Sequence, residues 1–485
     1  MSLFYSLSIA GQSLLSHKKG INLTNRNISN VFTEGYTRKV PVFQDMPTGG
    51  VNLEKVERKY NESLFKRFAT INQEVTGDDE YKDVLKQIEA VFNDIQGSGF
   101  SNEINEFFNS FNDMAVNPDD LAARQKVITK AQDLVGRIRN SNETLNDIKE
   151  KTSLAVQDNI SKLNNLTEHL TKINQNIRAF QKDPDKLNFY LDERDKTLKE
   201  ISNLIDTKII TYKDGTADIT TSKGFTLVSF DKNFELTYET DTEKNPIVRW
   251  DGVNITSEIK KGEIGGDLRG VEFINKNLKK LDDFTATLAL TVNKIHRDGY
   301  DLEGNNNIDF FSIDPSVSST NLNSSNIYLN ISDPKNIAAA SDPTYTNSDN
   351  TNIKKIINLK DSIDGALTSS QETDLLSDGE ITLGSISYKL NDTSTYNKIK
   401  EKSFNEYYSS GIVAPIGFEI EHTDDRVKQN SFLRENIENK MKEISSVNMD
   451  EELINLTKLQ RAYEASAKII NVTDELLQTV LGLVR

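Results

Sequence analysis

The sequence predicts a mainly α-helical protein with β insertions: a coiled coil of the terminal helices, an elongated helical bundle, and β-rich outer domains. Three observations carry this reading. Apolar residues recur at steps of three and four at both ends of the 485-residue chain. The same period fills most of 61–206 and 264–297. Two stretches, 207–261 and 300–424, lose it and carry short period-two runs bounded by turn residues.

The first stripe is Leu3, Leu7, Ala10, Leu14, His17, Ile21, Thr24 and Ile28. The last is Leu456, Leu459, Tyr463, Ser466, Ile470, Thr473, Leu477, Val480 and Val484. This is the spacing of a coiled-coil seam. Helices with matched stripes bury them on each other, so the two ends are expected to be neighbours. Spacing alone is evenly balanced between closing a monomer and building a polymer. Between the first stripe and residue 60, the turn Glu34-Gly35-Tyr36, Pro41 and Pro47-Thr48-Gly49-Gly50 predict an extended segment with a short strand or two.

Tyr81, Val84, Leu85, Ile88, Phe92 and Ile95 mark one helix, ended by Gly97-Ser98-Gly99. Ile104, Phe107, Phe108 and Phe111 mark a second, closed by Asn117-Pro118-Asp119-Asp120, which also caps the next. Leu121 to Leu145 begin a long helix, and Leu163, Leu166, Leu170, Ile173, Ile177 and Phe180 form a strict seam. After Asp183-Pro184, Leu187, Leu191, Leu198, Ile201 and Leu204 stripe another. Lys213-Asp214-Gly215-Thr216 and Asp251-Gly252 are hairpin turns of a small β insertion. The expected domains are 1–60 with 446–485 as a terminal inner domain; 61–206 with 262–299 and 425–445 as a helical bundle; 207–261; and 300–424, mostly β and loop.

Charge and composition exclude several function classes. With 58 basic and 74 acidic residues the net charge is −16, against non-specific nucleic-acid binding. The absence of cysteine excludes disulfides, thiolate catalysis and Cys-ligated zinc. No secretory signal is read at the N-terminus, and no run approaches the roughly 18 apolar residues of a membrane span. No P-loop, Rossmann or nucleophile-elbow pattern occurs. His17, His169, His296 and His422 lie far apart and read as surface or helix-face residues. Asp301-Leu302-Glu303-Gly304-Asn305 lacks the glycine and glutamate positions of a calcium loop and reads as an Asx-rich turn. Gly262-Glu263-Ile264-Gly265-Gly266 reads as a hinge between strand and helix, and Leu191-Asp192-Glu193-Arg194-Asp195-Lys196 as a solvated helix face with pairs such as Lys196–Glu200. No catalytic, cofactor-binding or metal-ligating residues are expected, and no enzyme activity.

Ser8-Ile9-Ala10-Gly11-Gln12, Asn25-Arg26-Asn27-Ile28-Ser29-Asn30 and Glu34-Gly35-Tyr36-Thr37-Arg38 together resemble the N-terminal signature of bacterial flagellar axial proteins. Glu34 stands where that family usually has proline. Val447-Asn448-Met449-Asp450-Glu451-Glu452 and Leu459-Gln460-Arg461-Ala462-Tyr463 through Ile470 resemble its other end. The Leu191–Asp195 run, the Gly262–Gly266 run and Val292–Asp301 are similar to the hook-associated members at the hook–filament junction. The resemblance implies a structural subunit exported by the flagellar type III route. It also implies a helical ring of copies between the hook protein and the second hook-associated protein, with an export chaperone on the C-terminal helix. It moves the balance at the stripes toward polymer. Leu3, Leu7, Leu14, Ile21, Ile28, Leu456, Leu459, Tyr463, Ile470, Leu477, Val480 and Val484 become the expected self-assembly residues, ordering only when neighbours arrive. Asn27, Asn30, Gly35, Tyr36, Arg38, Gln460, Arg461, Ala462 and Tyr463 carry the family motif. The alternatives are a second junction protein, a filament-like subunit, or an exported surface protein with an adhesive variable domain.

Overall fold

One helix of 59 residues, α4 (Leu121–Ala179), runs through both hydrophobic cores of this computed structural model, which describes residues 3–47, 49–92 and 99–483. At about 1.5 Å per residue it is roughly 90 Å long. Asp120 caps its start by accepting from the Ala122 N–H. The helices preceding it are α1 (Leu3–Ser29), α2 (Glu62–Phe92) and α3 (Phe100–Val116). Asp183 caps α5 (Pro184–Leu204), with Pro184 in the first turn. The other long helices are α6 (Gly262–Asp298), α11 (Ala414–Ser445) and α12 (Met449–Leu483). Ile95, Gly97, Ser98, Thr48 and Val484, used above as markers, lie outside the described residues.

The smaller core joins the C-terminal half of α4 (Val156, Leu163, Leu170) to α5 and the first β insertion. That insertion holds a four-stranded antiparallel sheet, β3 (Thr207–Thr211), β4 (Ala217–Thr221), β5 (Thr226–Ser229) and β6 (Lys232–Asn233). A three-stranded sheet follows, β7 (Leu236–Thr240), β8 (Pro246–Trp250) and β9 (Val253–Asn254). Asp251 and Gly252 both take positive φ, 46° and 79°, the primed turn that matches strand twist.

The larger core joins α2, α3, the first half of α4 and α6 to residues 310–416. This corrects the expectation for 300–424. The segment shares the bundle's core and carries more helix than strand. Its hairpins are short, β10 (Phe311–Ile313) with β11 (Ile327–Leu329) and β12 (Glu380–Leu383) with β13 (Ile386–Lys389). Between and after them lie α7 (Thr351–Asn358), α8 (Ser369–Asp378), α9 (Ser394–Lys402) and α10 (Phe404–Tyr407), the last running through a wide turn into α11. Each is too short to show a period and is held by one or two anchors such as Ile353, Ile356, Leu375 and Ile399.

The α1 stripe is also corrected. The buried face is Ala10, Ser13, Ser16, Gly20, Leu23, Thr24 and Asn27, rotated from the expected one. Small residues let α1 lie against the hairpin β1 (Lys39–Asp45) and β2 (Val51–Arg58). The Ser13 and Ser16 hydroxyls accept from the Val51 and Leu53 amides at 3.1 and 3.2 Å. A Cβ on Gly20 would stand 3.1 Å from the Phe43 ring and 3.2 Å from Leu459. Leu459 facing Gly20 and Glu452 facing Asn27 make α1 and α12 antiparallel neighbours.

Nor is the Gly262–Gly266 run a hinge. A Cβ on Gly266 would lie 2.4 Å from the Gly77 carbonyl oxygen, and one on Gly270 2.8 Å from Val84. The glycines let α6 and α2 touch backbone to backbone, and Arg269 fixes the crossing through the Gly77 carbonyl and Asp78 at 2.8 and 2.9 Å. Alanine ordinarily favours a helix over glycine. Here Gly266→Ala should lower stability by about 1–3 kcal/mol through overpacking. Gly136→Ala, at an open position of α4 with nothing within 4 Å, should raise it by about 0.5–1 kcal/mol. Urea unfolding of both variants checks the opposite signs.

Candidate functional site

The N-terminal motif and the charged run of α5 converge on one buried polar junction. Arg26–Asn30 end α1, and the chain turns through Gly35, whose φ of +80° is the left-handed conformation open to glycine. That turn aims Tyr36 back at the helix it has left. The Asn27 carboxamide is fully used: its Nδ2 donates to the Lys39 carbonyl at 2.8 Å and to Glu452 Oε2 at 2.9 Å. Its Oδ1 accepts from the Tyr36 hydroxyl at 2.8 Å and the Lys39 amide at 3.2 Å. Asn30 closes the helix end, donating to the Arg26 carbonyl and accepting from the Thr33 hydroxyl. Arg38 grips the start of α12 through Glu452 at 2.8 Å and Glu451 at 2.7 Å. Its amide donates to the Ser445 carbonyl at the end of α11.

Beneath this lies the charge centre. Asp192 accepts from Lys39 Nζ at 2.9 Å, Arg58 Nη2 at 2.8 Å and the Thr37 hydroxyl at 2.5 Å. Asp195 accepts from Arg58 at 2.8 Å and Arg194 at 2.6 Å. Arg194 also donates to the Gly215 carbonyl, tying in the first hairpin turn of the β insertion. Lys39 Nζ sits 4.1 Å from the centre of the Tyr36 ring. Burial draws the Lys39 ammonium down against the pull of Asp192. Burial opposes the Arg58 charge too, but Asp195 and Asp192 outweigh it and hold the guanidinium up. Burial pushes the Tyr36 phenol up to about 12.

The α5 run is therefore not a solvated face: Asp192, Arg194 and Asp195 are all at least nine-tenths buried. Each acid is neutralised by two cations, so the arrangement is a clamp between elements rather than a proton-transfer pair. Among the described residues no group of three His, Asp or Glu could hold a metal ion.

The junction gathers Asn27, Asn30, Gly35, Tyr36 and Arg38. It does not include Gln460, Arg461, Ala462 and Tyr463, which lie further along α12, the first two exposed. Leu3, Leu7, Leu14, Ile21 and Ile28 are half-buried, as are Leu456, Leu459, Tyr463, Ile470 and Leu477; Val480 is exposed. Sequence reasoning missed Lys39 and Arg58, read Asp192 and Asp195 as a solvated face, and named Glu452 only within the C-terminal motif. A signal existed: Asp195 fills the gap between Leu191 and Leu198 in an otherwise apolar stripe.

One histidine departs from the expected surface role. His296 is fully buried, its Nδ1 2.7 Å from the Ile308 carbonyl and its Nε2 accepting from the Ala338 amide. Asp301 forms the expected Asx turn, accepting from the Glu303 and Asn305 amides at 2.8 Å.

These motifs can be set beside known proteins. A family model described as the flagellar hook-associated protein FlgK helical domain matches residues 85–311, and one described as the flagellar basal body rod FlgEFG protein C-terminal matches 438–483. "Flagellar hook-associated protein 1" of Bacillus subtilis is 23% identical over 530 residues, covering 99% of this chain and 98% of its own. Over nearly its whole length the chain is similar to flagellar hook-associated protein 1. Its Salmonella typhimurium relative of the same name is also 23% identical, over 557 residues, covering 98% of this chain and 99% of its own. The solved structure of the flagellar hook junction protein FlgK from Burkholderia pseudomallei aligns with a TM-score of 0.47 at 17% identity, over 51% of this chain and 46% of that one. The hook-associated protein 1 family is one of structural flagellar proteins.

Asp192→Ala would leave Lys39 and Arg58 buried without their shared partner, and should cost about 3–5 kcal/mol in urea unfolding. Limited proteolysis of that variant should release the α1 and α12 ends first. His296 gives a pH dependence. Burial holds its pKa down to about 4 against an ordinary 6.5. The unfolded chain therefore takes the proton first as pH falls. Its contribution is complete above about pH 6.5 and is lost toward pH 4, amounting to about 3 kcal/mol. Unfolding measured at steps across that range should be steeper in pH for the parent than for His296→Gln.

Proposed function

We infer that the chain is a structural subunit of the bacterial flagellum at the junction between hook and filament. The observation that carries the reading is its likeness, over nearly its whole length, to proteins named Flagellar hook-associated protein 1. The terminal helix pair supports it. Among the described residues of α12, those buried are Glu452, Ser466 and Thr473, while Ile454, Ile469, Val472, Leu476 and Leu481 remain about half exposed or more. A helix that uses so little of its apolar surface on its own chain is suited to burying the rest on other copies. At about 25 cal/mol per Å2 of apolar surface removed from water, a ring of such helices gains what the single pair lacks.

In this reading Leu3, Leu7, Leu14, Ile21, Ile28, Leu456, Leu459, Tyr463, Ile470, Leu477, Val480 and Val484 serve self-assembly. The terminal pair, anchored at one end by Asn27, Arg38 and Glu452, firms up as neighbours arrive. Copies form a short helical ring outside the cell, above the hook protein and below the second hook-associated protein. Export follows the type III route, with a cytoplasmic chaperone on the C-terminal helix. The role is mechanical and not enzymatic.

A strain lacking the gene should keep hooks, lose filaments and shed filament protein into the medium; normal filaments would end the reading. Leu477→Asp with Val480→Asp should reproduce that loss while the purified protein keeps its parent melting temperature.

A further inference from the structure

Two faces of the helical body carry opposite, unanswered charge. On the solvent side of α6, Lys276 and Lys279 are exposed and neither enters an ion pair among the described residues. Lys280 beside them donates to the Gly411 carbonyl at 2.6 Å. Burial, with the like charges of Lys276 and Lys398, holds Lys280 down to about 8. The groove next to this cluster runs between α2, α6 and α11 over the edge-to-face pair Tyr81 and Phe273, whose ring centres are 6.3 Å apart. The other charges there are largely spoken for: Arg269 and Arg426 both bind Asp78, and Glu419 bonds the Tyr81 hydroxyl. Glu272 is the acid on the rim.

On α4 the exposed face between 143 and 158 presents Glu143, Asp147 and Asp158, none in an ion pair among the described residues, with Leu154 52% exposed in their midst. Glu150 is taken by Lys244 at 3.0 Å, and Lys151 is the one exposed base of that stretch. The opposite side of α4 buries Leu145 and Ile148 in the core it shares with α6. The acidic face and the basic groove are therefore separate patches, set on either side of the turn at 241–245, which reaches Glu150 through Lys244 and Asn275 through Asn245.

We propose that neighbouring copies meet head to tail through these faces, the acidic side of α4 on one copy seating on the basic groove of α6 on the next. Complementary patches on different sides of one chain make a heterologous contact, which closes into a ring or continues as a helix. The charges set register and exclude wrong neighbours, while Leu154 against the half-buried Phe273 supplies apolar contact. The contact rests on the junction reading, because it requires a homopolymer, and it adds a second layer of association outside the terminal helices.

A charge swap tests it in cells that build flagella with this chain. Lys276→Glu with Lys279→Glu, and separately Glu143→Lys with Asp147→Lys, should each reduce filament-bearing cells by about tenfold, and the four changes together should restore them to within about twofold. Single pairs that behave as the parent, or a fourfold variant no better than either pair, would overturn the proposal. Because the chain has no cysteine, Asp147→Cys with Lys276→Cys gives an independent reading on isolated flagella. Oxidation should yield a ladder beyond the dimer, absent from either single cysteine, and its absence from the double variant counts against the contact. If deleting the gene leaves filaments intact, the junction reading itself has failed, and that result is distinct from the loss of the swap effect alone.

Discussion

The carboxylate of Asp192 is the point on which the arrangement of the chain turns. Out of water and alone it would be prohibitively costly, and so would Lys39 or Arg58. Together with Thr37 they satisfy one another, but only with the α5 helix, the β1–β2 hairpin and the turn after α1 in one relative position. Such pairs add less to net stability than their number suggests, because desolvation offsets most of the attraction. What they contribute here is uniqueness of geometry. Asn27 and Arg38 pass that geometry on to α12, and Arg194 passes it to the β insertion through Gly215.

Elsewhere the fold depends on what is missing from side chains. Gly77 and Gly266 bring α2 and α6 into backbone contact, and Gly270 makes room for the Val84 side chain. Ser13, Ser16 and Gly20 keep α1 slim enough to lie on its hairpin, and the serine hydroxyls occupy amides that an open strand edge would otherwise offer to another chain. Large apolar residues of the terminal helices are left turned partly outward, so the tight internal contact and the outward surface come from different faces of the same helices.

Much of this was legible from residues. The long helices, the cap at Asp120, the break at Asp183-Pro184, the Asp251-Gly252 turn and the pairing of the two ends all follow from period and turn chemistry. The buried face of α1 was not, because serine and glycine carry no hydrophobic signal. Asp192 and Asp195 were not, because acids on a helix read as solvated until the cations from another element are placed beside them. In 300–424 the helices are short and take their stability from tertiary contact rather than from period. Local marks were nonetheless there: Thr368 and Gln371 form a capping box, and Gly379 at φ +71° ends the same helix. His296 was misread because one polar residue in a helix gives no hint that two loop backbones close over it.

The length of α4 has a consequence for how the molecule carries load. A single rod that belongs to both cores ties the 310–416 segment to the charge junction among the described residues. Each element that grips it, from the loops around Ala338 at one end to the hairpin turn at Gly215 at the other, is referred to the same axis. A sideways push on the 310–416 segment becomes a torque about the junction at Asp192, not a bend at a joint. In the proposed assembly, compliance would then come from the places where copies meet, and the subunit would act as a lever.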